Sequence, residues 1–253
     1  MIVVVSPAKK LDFTNECQAP LQSKPDFLSK TNKLAKELRK LKANDVGKLM
    51  KLSANLSELN FERFQNFKNQ YNPSTSKQAV FAFNGDTYTG LDIQSFNQTQ
   101  LKRSQSQLRI LSGLYGVLKP MDLIQPYRLE MGTKYKFLDY KNLYEYWQED
   151  VTNTLKLELA KEKVLINCAS QEYFNVIDTK KLNAQIITPV FKELKSGELK
   201  IISFAAKRAR GMMAKYIIQN NITKPEDIQN FSMDRYKFSK KLSDKNQYVF
   251  TRS

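Results

Sequence analysis

Short runs rich in β-branched and aromatic residues alternate along this chain with longer segments of helical period. The short runs are Ile2 to Val5, Ala79 to Phe83, Val164 to Asn167, Ile186 to Phe191, Leu199 to Phe204 and Tyr248 to Thr251. Runs that are apolar throughout read as strands buried on both faces. The segments between them carry a single apolar stripe. In Asp26 to Leu41 the stripe is Leu34, Leu38 and Leu41, and lysines fill the other faces. Val46 to Phe67 offers Leu49, Leu52, Leu56 and Leu59. Asn142 to Glu162 offers Leu143, Tyr146, Trp147, Val151, Leu155 and Leu159. This alternation predicts an α/β (mixed α+β) fold, with a mixed sheet flanked by helices. No Gly/Ser linker or fixed-period repeat divides the chain, so residues 1–253 read as a single compact domain.

Charge and missing residue types narrow the chemistry. Lys and Arg number 41 against 25 Asp and Glu, a formal charge of +16. Such an excess either keeps a protein soluble or attracts a polyanion such as nucleic acid. Histidine is absent, which excludes a Ser-His-Asp triad, a Cys-His pair and any imidazole-ligated metal. Acid–base work falls to Asp, Glu, Lys, Tyr or Cys. The two cysteines, Cys17 and Cys168, form neither a disulfide framework nor a metal knuckle. No metal site and no cofactor is expected. No run of about 18 apolar residues is present, and "MIVVVSPAKK" lacks a basic leader. A cytoplasmic protein with no membrane contact, favoured as a monomer, fits these features.

Strand ends attract attention next. Ile2 to Val5 runs into "SPAK", Ala79 to Phe83 into "NGDTYTGL", and Val164 to Asn167 into "CASQEYF". In open α/β sheets, ligands gather beyond the carboxyl ends of parallel strands. If these strands are parallel, their loops bring Ser6, Lys9, Asp86, Tyr88, Ser170 and Glu172 toward one polar pocket, joined by Arg128 and Glu130 from "QPYRLEMG". Lysine would act as a base and arginine as a clamp on an anion. The plainer alternative is that Pro7, Gly85 and Gly90 only make turns. "NGDTYTG" matches no glycine-rich phosphate fingerprint.

Two further segments suggest polyanion binding. In Ser203 to Asn220, Ala205, Ala209, Met212 and Tyr216 fall on one helical side, and Lys207, Arg208, Arg210 and Lys215 on the other. Gly211 lies among the basic residues, where it leaves a gap through which an anion reaches backbone, unless it is simply tolerated in a solvated face. In "TQLKRSQSQLRILSGLYGVLKPMDLI" a helix with Lys102, Arg103 and Arg109 outward ends at Gly113, and a short second helix follows Gly116. Gly113, Leu114, Tyr115 and Gly116, with Lys119, then form a helix-hairpin-helix-like element whose backbone N–H groups bind DNA phosphates. Two residues separate its glycines where the usual motif has one.

"SPAK", "GDTYTGL", "LSGLYGVLKPMDLIQPYRLEMG", "NCASQEYF" and "KRARGMMAKYII" together resemble the YaaA family of bacterial peroxide-stress-resistance proteins. The resemblance covers nearly the whole chain. It implies a compact α/β fold with a helix-hairpin-helix-like element and a positively charged cleft. It also implies binding of duplex or branched DNA without sequence preference, and a role in limiting peroxide damage to DNA and free intracellular iron. The alternative is an enzyme acting on a nucleotide or phosphorylated small molecule in the strand-end pocket. Cys168 stands where the family more usually has an aliphatic residue, and it reads as a packing residue.

Overall fold

A computed structural model describes residues 1–14, 21–72, 75–160 and 163–253; Cys17 lies outside them. Among these residues an eight-stranded sheet organises the chain. Ile2–Val5, buried throughout, lies at its centre between Leu108–Ser112 and Val164–Cys168, parallel to both. Gln185–Lys195 and then Gln247–Arg252 extend the parallel array on the Val164–Cys168 side. Antiparallel strands finish it: Gly116–Leu118 beside Leu108–Ser112, Lys237–Phe238 beside Gln247–Arg252, and Glu198–Lys200 beside the end of Gln185–Lys195. The sheet is therefore mixed, as the alternating pattern predicts, and its central strands are the continuous apolar runs that two-sided burial demands.

Helices Gln98–Gln107 and Ser203–Gln219 pack on the central strands. Helix Leu143–Glu158, started by Asn142 accepting the Glu145 N–H at 2.9 Å, buries the whole predicted stripe from Leu143 to Leu159. Helices Leu28–Arg39, Ala43–Met50 and Ala54–Gln65 form a further group. Leu34 and Leu38 are buried there as expected. Leu56 and Leu59 are not: they are 39% and 40% exposed, and Val46, Met50 and Phe64 point inward instead. The Ala43–Met50 helix ends at Lys51 in a left-handed conformation, which breaks the single stripe drawn across both helices. Among the described residues, no helix is long and apolar enough to cross a membrane.

Two predicted strands are corrected. Ala79–Ala82 is one helical turn, flanked by short ladders at Lys77–Gln78 and Phe83–Asn84. Its residues are enclosed by the core, and period alone cannot separate a buried strand from a buried turn. The run from Leu199 forms a strand only to Lys200, and the helix starts at Ser203.

The glycine hairpin is also different. The preceding helix stops at Gln107, and Leu108–Ser112 is a sheet strand rather than a helix end. Arg109 is buried, with its guanidinium paired to both Glu158 carboxylate oxygens at 2.7–2.9 Å. Residues 113–115 turn the chain into Gly116–Leu118, so the element is a β-hairpin, not a helix-hairpin-helix. Two of its backbone polar groups are already used. The Trp147 indole donates to the Gly113 carbonyl at 2.9 Å, and the Tyr115 N–H donates to Ser112 Oγ at 3.0 Å. Gly113, Leu114, Tyr115 and Gly116 are buried and present no N–H row to a phosphate.

Candidate functional site

The parallel register places the ends of Ile2–Val5 and Val164–Cys168 side by side, with Val5 opposite Cys168. Their outgoing loops meet as the sequence suggests. The Ser170 N–H donates to Ser6 Oγ at 2.8 Å, and the Ser6 hydroxyl donates to Ser170 Oγ at 3.3 Å. Tyr88 arrives from helix Asp86–Leu91 and donates its hydroxyl to the Ser6 carbonyl at 3.1 Å. Gly85 lets that helix approach the same loop: a Cβ there would lie 3.1 Å from the Ala8 Cβ. Asp86, exposed at the helix start, has no side-chain hydrogen bond or ion pair to the other candidates among the described residues.

A second group of candidates adjoins the first. Glu130 bridges two cations, with Lys9 Nζ at 2.7 Å and Arg128 Nη2 at 3.4 Å. Glu172 accepts the Gly132 N–H at 3.0 Å, and the Tyr144 hydroxyl donates to its carbonyl at 2.8 Å. Behind them stand the phenols of Tyr88, Tyr127 and Tyr173. Burial raises all three well above the ordinary tyrosine range, and for Tyr173 the carboxylates of Glu172 and Glu130 add to the shift. These hydroxyls stay protonated and act as donors and acceptors. Tyr127, for example, shares a 2.6 Å hydrogen bond with Ser112.

Cys168 is buried, and burial pushes its thiol up to about 12, so it is a packing residue rather than a thiolate nucleophile. Arg210 lies beside it, half-buried, with its pKa drawn down by that burial. Arg63 was not foreseen: it comes from helix Ala54–Gln65 and lies close enough to Arg128 for the two charges to repel.

The DNA-contact candidates separate. Lys207 and Arg208 are exposed near the start of their helix, whereas Lys215 is ion-paired to Asp92 at 2.7 Å. Gly211 is no gap for an anion, because helix Asp86–Leu91 fills it. Lys119 pairs with Asp26 at 3.0 Å, and its N–H donates to Asp122 at 2.8 Å.

Asp122 supplies a pH test. Burial raises its carboxyl to about 6 from 3.8, against hydrogen bonds from Ser23 and the Lys119 N–H. A carboxyl raised in the folded state favours folding while protonated. That contribution is complete below the unfolded pKa and is lost as pH climbs through about 6. The stability of Asp122→Asn minus that of wild type should therefore rise by about 2 kcal/mol from about pH 4 to pH 7. Urea unfolding at both pH values checks this, and a flat difference refutes it.

Outside the strand ends, cations gather along the Leu28–Arg39 helix. A cleft of about 510 Å³ is lined by Asn32, Lys36, Arg39, Lys68, Asn69 and Gln70, and it shares Asn32, Lys36 and Asn69 with an adjoining cleft that adds Lys33. No carboxylate lines either cleft among the described residues. Gln125 clips the Lys68 backbone through bonds to its N–H and carbonyl, at 2.9 and 2.5 Å. Lys68 continues into a third cleft with Arg63, Gln125, Pro126 and one carboxylate, Glu62. The groove thus leads by contact from Lys36 through Lys68 and Arg63 toward Arg128. In the sequence these lysines were only the polar faces of an amphipathic helix and a loop; the signal was the amide-rich "FKNQYN" beside them.

Comparison with known proteins agrees with the motifs. The family model described as peroxide stress protein YaaA matches residues 1–242. UPF0246 proteins from Shewanella oneidensis and Polynucleobacter necessarius are 47% and 46% identical over the whole chain, covering 99% and 98% of their own lengths. One from Neisseria gonorrhoeae is 46% identical, with 98% of its length covered. The chain belongs to the YaaA family of peroxide stress proteins.

Proposed function

We propose that this protein acts in the cytoplasm during peroxide stress by binding DNA without sequence preference, and so limits oxidative damage to DNA and the free iron that promotes it. The carrying observation is the groove along Leu28–Arg39, where Lys33, Lys36, Arg39 and Lys68 stand among amides and no carboxylate lines these two clefts among the described residues. Contacts of this kind engage phosphates and carry no base information. They replace the buried hairpin as the main contact surface, and the exposed Lys207 and Arg208 extend the positive charge.

Counterion release makes the reading measurable. Duplex affinity should fall steeply with salt, and Lys36→Ala or Lys68→Ala should each reduce the salt slope by about one unit, equally for unrelated sequences. Fluorescence anisotropy at several salt concentrations, with duplex and branched DNA, tests it. Variants that keep the wild-type slope would show that the groove is only a solvated face.

A further inference from the structure

Arg128 is a cation whose surroundings leave part of it unused. Its side chain is only 17% exposed, yet its Nε is buried with no hydrogen-bond partner. Buried guanidinium donors are ordinarily satisfied. Among the described residues its one hydrogen-bond partner is Glu130, reached by Nη2 at 3.4 Å, near the outer limit of a hydrogen bond. Glu130 is better held by Lys9, at 2.7 Å. Arg63 stands beside Arg128, and its side chain is bonded only to Asn60, at 3.2 Å, among the described residues. Lys9 holds Glu130 closely, so the Arg128 guanidinium is left under-paired beside a second cation, Arg63. The paired hydroxyls of Ser6 and Ser170 lie at the same carboxyl end of the sheet.

We propose that this strand-end site binds a phosphate monoester, with the Nε–Nη2 edge of Arg128 as the clamp and Lys9 and Arg63 as supporting charges. A guanidinium edge presents two parallel donors matched to two phosphate oxygens. A monoester carries nearly two negative charges near neutral pH, so the flanking cations attract it more strongly than they attract a single carboxylate. The ligand is either a free nucleotide or the phosphorylated end of a nucleic-acid strand; both present the same group. The inference shares only Arg63 with the path of the groove and rests on the geometry of Arg128.

The test is calorimetry on the full chain with inorganic phosphate, a nucleoside monophosphate and the bare nucleoside. It is paired with anisotropy on one oligonucleotide bearing either a 5′-phosphate or a 5′-hydroxyl. The monophosphate should bind and the nucleoside should not. Arg128→Lys keeps the charge but removes the Nε edge, and should weaken binding about tenfold; Arg128→Gln should weaken it further. Because Nε bonds nothing among the described residues, Arg128→Lys should keep the wild-type thermal midpoint. Lys241→Ala, an exposed lysine outside these clefts, should change nothing. A preference for the 5′-phosphate identifies a strand end as the source; monophosphate binding without that preference identifies a free nucleotide. Absence of monophosphate and phosphate binding up to about 10 mM, or a folded Arg128→Lys that binds as wild type, overturns the inference. Loss of monophosphate binding with duplex affinity intact would sink this site alone, and the reverse result would sink the groove alone.

Discussion

Gly116→Val is expected to destabilise the protein by about 4 kcal/mol and to leave the DNA affinity of its folded fraction unchanged. Two separate costs add. Gly116 has φ +73°, a conformation that costs a β-branched residue about 1–3 kcal/mol. Its missing side chain also faces a wall: a Cβ there would lie 2.7 and 3.0 Å from ring carbons of Trp147. Trp147 is fully buried and held by its bond to the Gly113 carbonyl, so it has no free space to move into. Overpacking of this kind costs about 1–3 kcal/mol more. For a chain of this size the midpoint should fall by about 8–16 °C. Trp147 is the sole tryptophan, so its fluorescence reports both local disturbance and global unfolding. A midpoint within a degree or two of wild type would show that the hairpin is loose. A folded variant with weakened DNA binding would restore the hairpin as a contact.

That hairpin also shows what local pattern reveals and what it hides. The run "LRILS" contains one charge, and the simplest local reading turns Arg109 outward on a helix. In the fold Arg109 is buried because Glu158, 49 residues away, meets it. No local window contains that partner. Ile2–Val5, Val164–Cys168 and the helix stripe ending at Leu159 were legible because their burial is uniform and needs no distant partner. The meeting of Ser6, Tyr88 and Ser170 was legible for a related reason. Parallel neighbouring strands bring their outgoing loops together whatever else the chain does. This held even though Ala79–Ala82 is a helical turn, since the loop after it still reaches Ser6. Arg63 was hidden because it meets Arg128 from a helix far earlier in the chain, a pairing that no local window contains. Leu56 and Leu59 misled because the left-handed Lys51 resets the helical phase between two helices read as one stripe.

Gly211→Ala sets propensity against packing, and packing should win. Replacing glycine by alanine inside a helix normally stabilises it by about 1 kcal/mol. Here a Cβ would overlap the Thr87 carbonyl oxygen and lie 2.8 Å from the Leu91 nitrogen. Both are backbone atoms of helix Asp86–Leu91 and cannot rotate away as a side chain would. Gly90 repeats the contact from the other side, where a Cβ would meet the Arg208 carbonyl group and lie 3.0 Å from the Met212 nitrogen. The two helices therefore cross backbone to backbone, and one added methyl must push them apart. Separation loosens the contacts of Ala209, Met213 and Leu91, all fully buried, at a cost of about 3–4 kcal/mol that outweighs the propensity gain. The expected net loss is about 2–3 kcal/mol, read as a lowered thermal midpoint. The same displacement moves Tyr88 away from the Ser6 carbonyl, so monophosphate affinity should fall together with stability. Gly211→Ala on the exposed face that the sequence pattern suggested would instead raise the midpoint. A raised midpoint would therefore show that the crossing is open and that backbone at Gly211 is accessible to an anion after all.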